Sequence, residues 1–226
     1  MKLYELVGRD RINGYSPFVW RSRLALEHKG LDYELVSLRF TEIKEKLSFA
    51  NSKTVPVLED KAKAVSDSWE IACYLEDTYP DRPPLFTDRS SAKLFDLQVA
   101  MPLLAPLFRT IVSDIYDILD EENQQYFRQT REPRIGCTIE EARDNFEQPF
   151  KIFKDNLWPY SQYFKSADFI GGATPVYQDY VLYGMFLWAR MTSPKRLLDD
   201  GDPLLSWIER MDRLFGGLGG RMKYIG

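Results

Sequence analysis

A chain of 226 residues that is 44% hydrophobic and 14% aromatic has enough apolar material to bury a core, as one large domain or two small ones, and too much for a disordered segment. Its net charge of −4, with basic and acidic residues interspersed, excludes the basic stripe that a nucleic-acid partner would require. Two cysteines, Cys73 and Cys137, and one histidine, His28, exclude a disulfide framework and a zinc site, so no metal is expected. The cysteines read as small buried hydrophobes, and His28, between Glu27 and Lys29, as a solvated surface residue.

In chain order, residues 1–6 carry too short an apolar run for a signal peptide. No later stretch holds 18 uncharged apolar residues, which predicts a cytoplasmic chain with no membrane partner. Residues 3–8 read as a short strand. Residues 15–30 then form a helix with both ends marked: Ser16 as N-cap, Pro17 at the first helical position, Gly30 as the left-handed stop. Ser16 therefore stands at a helix N-terminus, where free N–H groups and the positive end of the dipole hold an anion. A capping role alone would also explain it.

Residues 33–38 alternate as a second strand, giving a βαβ unit with parallel pairing. Residues 41–49 read as a short or irregular helix, and residues 55–60 and 64–66 as a hairpin turning at 61–63. Pro56 lies in a β run where it cannot donate to the ladder. Either it is an edge or strand-start proline, or Val55-Pro56 is a cis peptide that turns the Val55 backbone toward a peptide-like ligand. Residues 67–79 form the next helix, capped by Asp67 or Ser68. A carboxylate beside a hydroxyl at that place suits the ammonium and carboxylate of an α-amino acid head group.

The proline cluster at residues 80–88 reads as a linker. Beyond it only helices are expected: 90–119 with breaks near Pro102 and Pro106, 139–164, 176–191 and 203–214. The fold class is α/β followed by all-α.

Three motifs carry a family resemblance: Ser16-Pro17-Phe18-Val19-Trp20-Arg21, then Thr54-Val55-Pro56-Val57-Leu58, then Ser66-Asp67-Ser68-Trp69-Glu70 with Tyr79-Pro80-Asp81-Arg82-Pro83. In this order and spacing the chain resembles the cytosolic glutathione transferases. Within them it is most similar to the bacterial glutathione-dependent β-etherases and the fungal etherase-like group, with the plant tau class similar over the N-terminal half.

The resemblance implies a thioredoxin-like βαβαββα domain over 1–79 that binds glutathione as co-substrate, a linker over 80–88, and a helical domain over 89–226 that receives an aromatic or apolar electrophile. It implies a homodimer as well. Ser16 would donate to the glutathione sulfur and hold it as thiolate. Phe18, Val55 with a cis Pro56, Asp67 and Ser68 would bind the rest of the tripeptide. The activity implied is attack on an electrophilic or ether-bearing carbon, with a non-catalytic carrier of aromatic ligands as the alternative.

Some positions depart from the family pattern. Val176 stands where a Ser or Thr cap is usual while Asp179 is kept; Thr174 with Pro175 caps one turn earlier, or the helix loses about 1 kcal/mol. For the glycyl carboxylate, Arg39, Lys44, Lys46 and Lys53 remain open. Tyr15, Met101, Phe108, Ile111, Tyr116, Phe186 and Trp188 are candidate pocket walls. Gly216 to Gly220 follows a helix and reads as a flexible tail.

Overall fold

The computed structural model describes all residues, Met1–Gly226. Strand β1 (Lys2–Leu6) leads to α1 (Pro17–Lys29), β2 (Glu34–Leu38), α2 (Phe40–Lys46), β3 (Val57–Asp60), β4 (Lys63–Ser66) and α3 (Ser68–Thr78). The sheet order is β2-β1-β3-β4, with β1 parallel to β2 and the other pairs antiparallel. This is a small α/β unit, and all that follows is helical.

The helices after residue 88 are α4 (Arg89–Val99), α5 (Ala105–Asp117), α6 (Glu121–Ile135), α7 (Ile139–Asp144), α8 (Glu147–Tyr163), α9 (Tyr177–Thr192) and α10 (Pro203–Gly217). Pro106 does not end the helical run: the Pro102 carbonyl, four residues back, that its missing N–H cannot reach accepts from Asn156 Nδ2 at 2.8 Å. Pro102 instead sits in a wide π turn, Ala100–Leu104, that joins α4 to α5. The expected helix over 139–164 is cut at Asn145 and Phe146, since the ring of Pro149 opposes the carbonyl four residues back. Helix α6 was not anticipated at all.

The continuous helical run Arg89–Asp117 is long and apolar enough to cross a bilayer by length and composition. Here its buried residues Leu103, Leu107 and Ile111 pack in the core, with α5 against α8 and α9.

A single cluster of 55 buried apolar side chains runs from Leu3 to Leu218, so both units share one core. Its centre is the contact of α1 with α9, where Gly184 passes so close that a Cβ would stand 2.8 Å from the Pro17 carbonyl oxygen. Covered on one side by the sheet and α3 and on the other by α9, α1 buries even its charged residues. Arg21 pairs with Asp96 at 2.6 Å and Lys29 with Glu76 at 2.6 Å. His28 is likewise half-buried, with Nδ1 sharing a 2.5 Å hydrogen bond with the Tyr180 hydroxyl, and burial lowers its pKa. The solvated histidine expected from its charged neighbours is thus corrected by α9, which the local sequence does not reveal.

Two further corrections come from packing. Cys73 and Cys137 are half-buried, not buried. The glycine-rich segment after α10 is held against α9: Arg190 donates to the Gly219 carbonyl at 3.1 Å and the Ile225 N–H to the Met191 carbonyl at 3.0 Å. Asp179, fully buried, resolves the question of the α9 cap. It accepts from the N–H groups of Val176 (3.0 Å) and Ile170 (2.9 Å) and from Trp207 Nε1 (3.0 Å), which ties the N-cap residue to the helix from the other side, while no side chain caps the first turn of α9.

Candidate active site

The sheet registers bring the sequence motifs to one edge. Tyr4 pairs with Val57 and Val57 with Ser66, so the C-terminal end of β1, the N-terminal end of β3 and the C-terminal end of β4 lie together. After β1 the chain loops out and returns: the Tyr15 N–H donates to the Leu6 carbonyl at 3.0 Å, and Trp20 Nε1 donates to the Gly14 carbonyl at 3.0 Å. These two bonds fix Ser16 at that edge, as the cap of a helix whose first turn holds no acid.

Ser16 is buried, and its Oγ accepts from the Val19 N–H at 3.5 Å. That is a long and weak cap. The hydroxyl hydrogen has no acceptor within the chain and remains free to donate to a group placed before the helix N-terminus. Phe18, two residues on, is 40% exposed and lies against the Arg21 guanidinium, 4.7 Å from the ring centroid.

Val55-Pro56 is a cis peptide that directly precedes β3, so Pro56 stands at a strand start and its missing N–H costs the ladder nothing; β3 lies between β1 and β4, so it is not an edge strand. The N–H and C=O of Val55 make no hydrogen bond within the chain, which suits them to pair with an extended peptide. The Asp67 N–H donates to the Pro56 carbonyl at 3.2 Å, joining this segment to the start of α3. Asp67 caps α3 through Oδ1, which accepts from Trp69 N–H at 2.8 Å and Glu70 N–H at 3.3 Å. Its Oδ2 is left free, and its φ of 78° is a strained value for a residue with a side chain. Ser68 beside it is buried against Tyr177, whose hydroxyl is also buried and without a partner. Of the open basic candidates, Arg39 is engaged by Asp120 (3.0 Å) and Glu42 (3.3 Å), and Lys46 pairs with Glu45; Lys44 and Lys53 are exposed without a carboxylate.

Ser16 and Phe18 open on a cavity of about 580 Å³ between the two units, with 13 apolar residues among its 18 lining residues. Val55, Pro56, Asp67 and Ser68 lie outside it. Phe108 and Trp188 stack in its wall at 6.1 Å with a 14° interplanar angle, a surface suited to a flat ring. Tyr15 and Met101 also line it. Three expected wall residues do not: Ile111 and Phe186 are core, and Tyr116 lies against Arg128. The lining side chains that sequence reasoning missed include Leu6 and Phe40 and, from α5 and α6, Arg109, Phe127, Arg131 and Arg134. Signals for α6 were present in Asp120, which caps it, in Glu121 and Glu122 of its first turn and in the Gly136 stop.

Comparison with known proteins agrees with this architecture. The family model described as glutathione S-transferase, N-terminal domain matches residues 15–78, and that described as glutathione S-transferase, C-terminal domain matches residues 91–214. The chain belongs to the glutathione S-transferase family. Among relatives, this family member is 25% identical over 205 residues to the glutathione S-transferase-like protein ustS of Aspergillus flavus, covering 77% of this chain and 74% of the relative. It is 40% identical to a zeta-class glutathione S-transferase of Euphorbia esula, but over 96 residues, 39% of this chain and 43% of that one. In fold it is similar to glutathione transferase GSTFuA3 of Phanerochaete chrysosporium, with a TM-score of 0.85 at 24% identity over 96% of each chain. It is also similar to a glutathione S-transferase of Ceriporiopsis subvermispora in complex with glutathione, with a TM-score of 0.77 at 19% identity over 97% and 93%.

Proposed function

We propose that this chain is a glutathione transferase that holds glutathione as the thiolate beside Ser16 and directs it at a carbon bearing a leaving group such as a phenolate. The observation that carries the reading is the uncommitted Ser16 hydroxyl at the N-terminus of a buried helix, opening on an aromatic-walled cavity. A free thiol has a pKa near 8.5, and a hydroxyl donor together with the helix dipole lowers it. The thiol proton leaves to solvent, the S–C bond forms and the C–O bond breaks, releasing the phenolate. Ser16 donates a hydrogen bond throughout and is not itself the nucleophile.

In this reading residues 1–79 bind glutathione, 80–88 link, and 89–226 receive the electrophile. The unpaired Val55 backbone supports its pairing with the cysteinyl part, and the free Asp67 Oδ2 with Ser68 supports their role at the γ-glutamyl head group. Phe18 covers the tripeptide at the cavity edge. Lys53, exposed two residues before Val55, takes the glycyl carboxylate. The exposed Leu94 and Leu97 on α4 support a homodimer, and a thiol co-substrate suits the reducing cytoplasm.

The test is turnover of a β-aryl ether model compound and of a chloronitrobenzene, each with and without glutathione. Glutathione-dependent cleavage of the ether supports the etherase type, and reaction of the chloronitrobenzene alone supports a general transferase. No turnover of either, with glutathione and aromatic ligands still bound, replaces the enzyme by a carrier.

A further inference from the structure

Beside its apolar faces the cavity wall carries three cations. Arg109 comes from α5, and Arg131 and Arg134 from α6, where Phe127, Arg131 and Arg134 follow at helical spacing on one side. None of the cavity's 18 lining residues is an aspartate or glutamate. Carboxylates are close at hand, Glu132 on α6 and Glu140 on α7, but both are taken by Arg128. The three cavity arginines have no carboxylate within ion-pair distance. Arg109 donates to the Ile135 carbonyl at 2.8 Å and Arg131 to the Thr130 hydroxyl at 2.9 Å.

Two features make this more than a solvated charged face. Arg131 is half-buried and lies against two aromatic rings, 5.1 Å from the centroid of Phe40 and 5.4 Å from that of Phe127, while Arg134 lies 5.6 Å from Phe108. Ring faces fix a guanidinium without neutralising it. Burial lowers the Arg131 pKa, with the like charge of Arg134 acting in the same sense and Tyr126 and Tyr15 in the opposite one. Independently, Tyr15 lines the same cavity with only 2% of its surface exposed, and its hydroxyl has no hydrogen-bond partner. Burial raises its pKa and keeps it a neutral donor, while the Arg131 charge acts in the opposite sense.

Resting on the transferase reading of Ser16, we propose that the electrophile accepted by this cavity is an aromatic compound carrying a carboxylate, bound by Arg131 and Arg134 with the Tyr15 hydroxyl as a further donor. The ring lies against Phe108 and Trp188, and the carboxylate neutralises the cationic wall while the reacting carbon faces Ser16. Arg109 adds charge but is tied to the end of α6, which makes it the lesser partner.

The experiment compares a chloronitrobenzoate with its methyl ester as electrophiles for the intact protein and glutathione, where the S–C bond forms, chloride leaves and the thiol proton goes to solvent. Each rate is referred to the uncatalysed reaction. The expected kcat/KM preference for the carboxylate is about tenfold or more, as one charge-assisted contact supplies. Arg134→Gln, at an exposed position, and Arg131→Gln each lower that ratio through KM for the benzoate; Arg131→Lys restores part of it, and Tyr15→Phe lowers it less. An equal or reversed preference in the wild type overturns the proposal. So does a pair of arginine variants that raise KM for glutathione instead, which would place the tripeptide on this wall.

Binding of a nitrobenzoate against its methyl ester, measured by calorimetry, gives a readout without turnover. If neither electrophile reacts yet the acid binds more tightly and Arg134→Gln removes the difference, the anion site stands and the transferase reading fails. If both react and neither acid nor ester is preferred, the transferase reading stands and the anion site fails.

Discussion

Replacing Ser16 by alanine separates the two roles that coincide at this position. As a cap, Ser16 is weak: the Val19 N–H reaches its Oγ only at 3.5 Å, so its removal costs about 0.5 kcal/mol of stability, the low end for N-caps. As a thiolate donor it is worth more, because a hydrogen bond to a charged group contributes about 1.5–3 kcal/mol, or roughly one to two pKa units of the bound thiol. The variant is therefore expected to lose roughly ten- to a hundredfold in rate near neutral pH and to regain most of it as pH rises past the free thiol value of about 8.5. The assay is the pH profile of kcat for chloronitrobenzene conjugation, with the bound thiolate followed by its ultraviolet absorbance and stability by urea denaturation. A variant with the wild-type profile and thiolate pKa, or one whose rate loss is the same at every pH, would refute the reasoning and leave Ser16 as a cap.

Asp179→Ala leaves three donors without an acceptor, on buried Val176 and Trp207 and on half-buried Ile170. Against that, burial raises the carboxylate pKa, so some desolvation cost is relieved; a net loss of about 3 kcal/mol is expected in urea unfolding, and an unshifted midpoint would sink the account of the α9 cap. Gly184→Ala places a methyl 2.8 Å from the Pro17 carbonyl oxygen. It should cost roughly 1–3 kcal/mol and lower activity by displacing the start of α1, which melting and turnover measured on one preparation will check. His28 is held below its ordinary 6.5, chiefly by burial. The unfolded chain thus binds the more protons between the folded value and 6.5, and stability rises with pH through that window and is lost as pH falls through it. In His28→Gln this slope should vanish; its persistence would assign the titration to another group.

The α/β unit was legible because its signals are local. Ser16 with Pro17 and Gly30, Pro56 before an apolar run, and Asp67 at a helix start each constrain their own backbone, and short-range sterics and capping chemistry are written in adjacent residues. Helix α6 was not legible for a related reason. Its face is polar and carries Pro133, so it lacks the apolar periodicity by which helices are found, although both its caps are present. That omission hid four of the cavity's 18 lining residues, Arg131 and Arg134 among them. His28 and the glycine-rich C-terminal segment were misread because what covers them, Tyr180, Arg190 and Met191 on α9, lies far away along the chain.

The sequence by itself determined the order of elements in the first unit, the two capped helix starts and the place of Ser16, since each depends on neighbours within a few residues. Only the tertiary structure decided that α9 would enclose α1, that three arginines would face a cavity without an acid, and that the Tyr15 hydroxyl would be buried without a partner. Burial and charge balance are set by residues distant in the chain, and no local pattern encodes them.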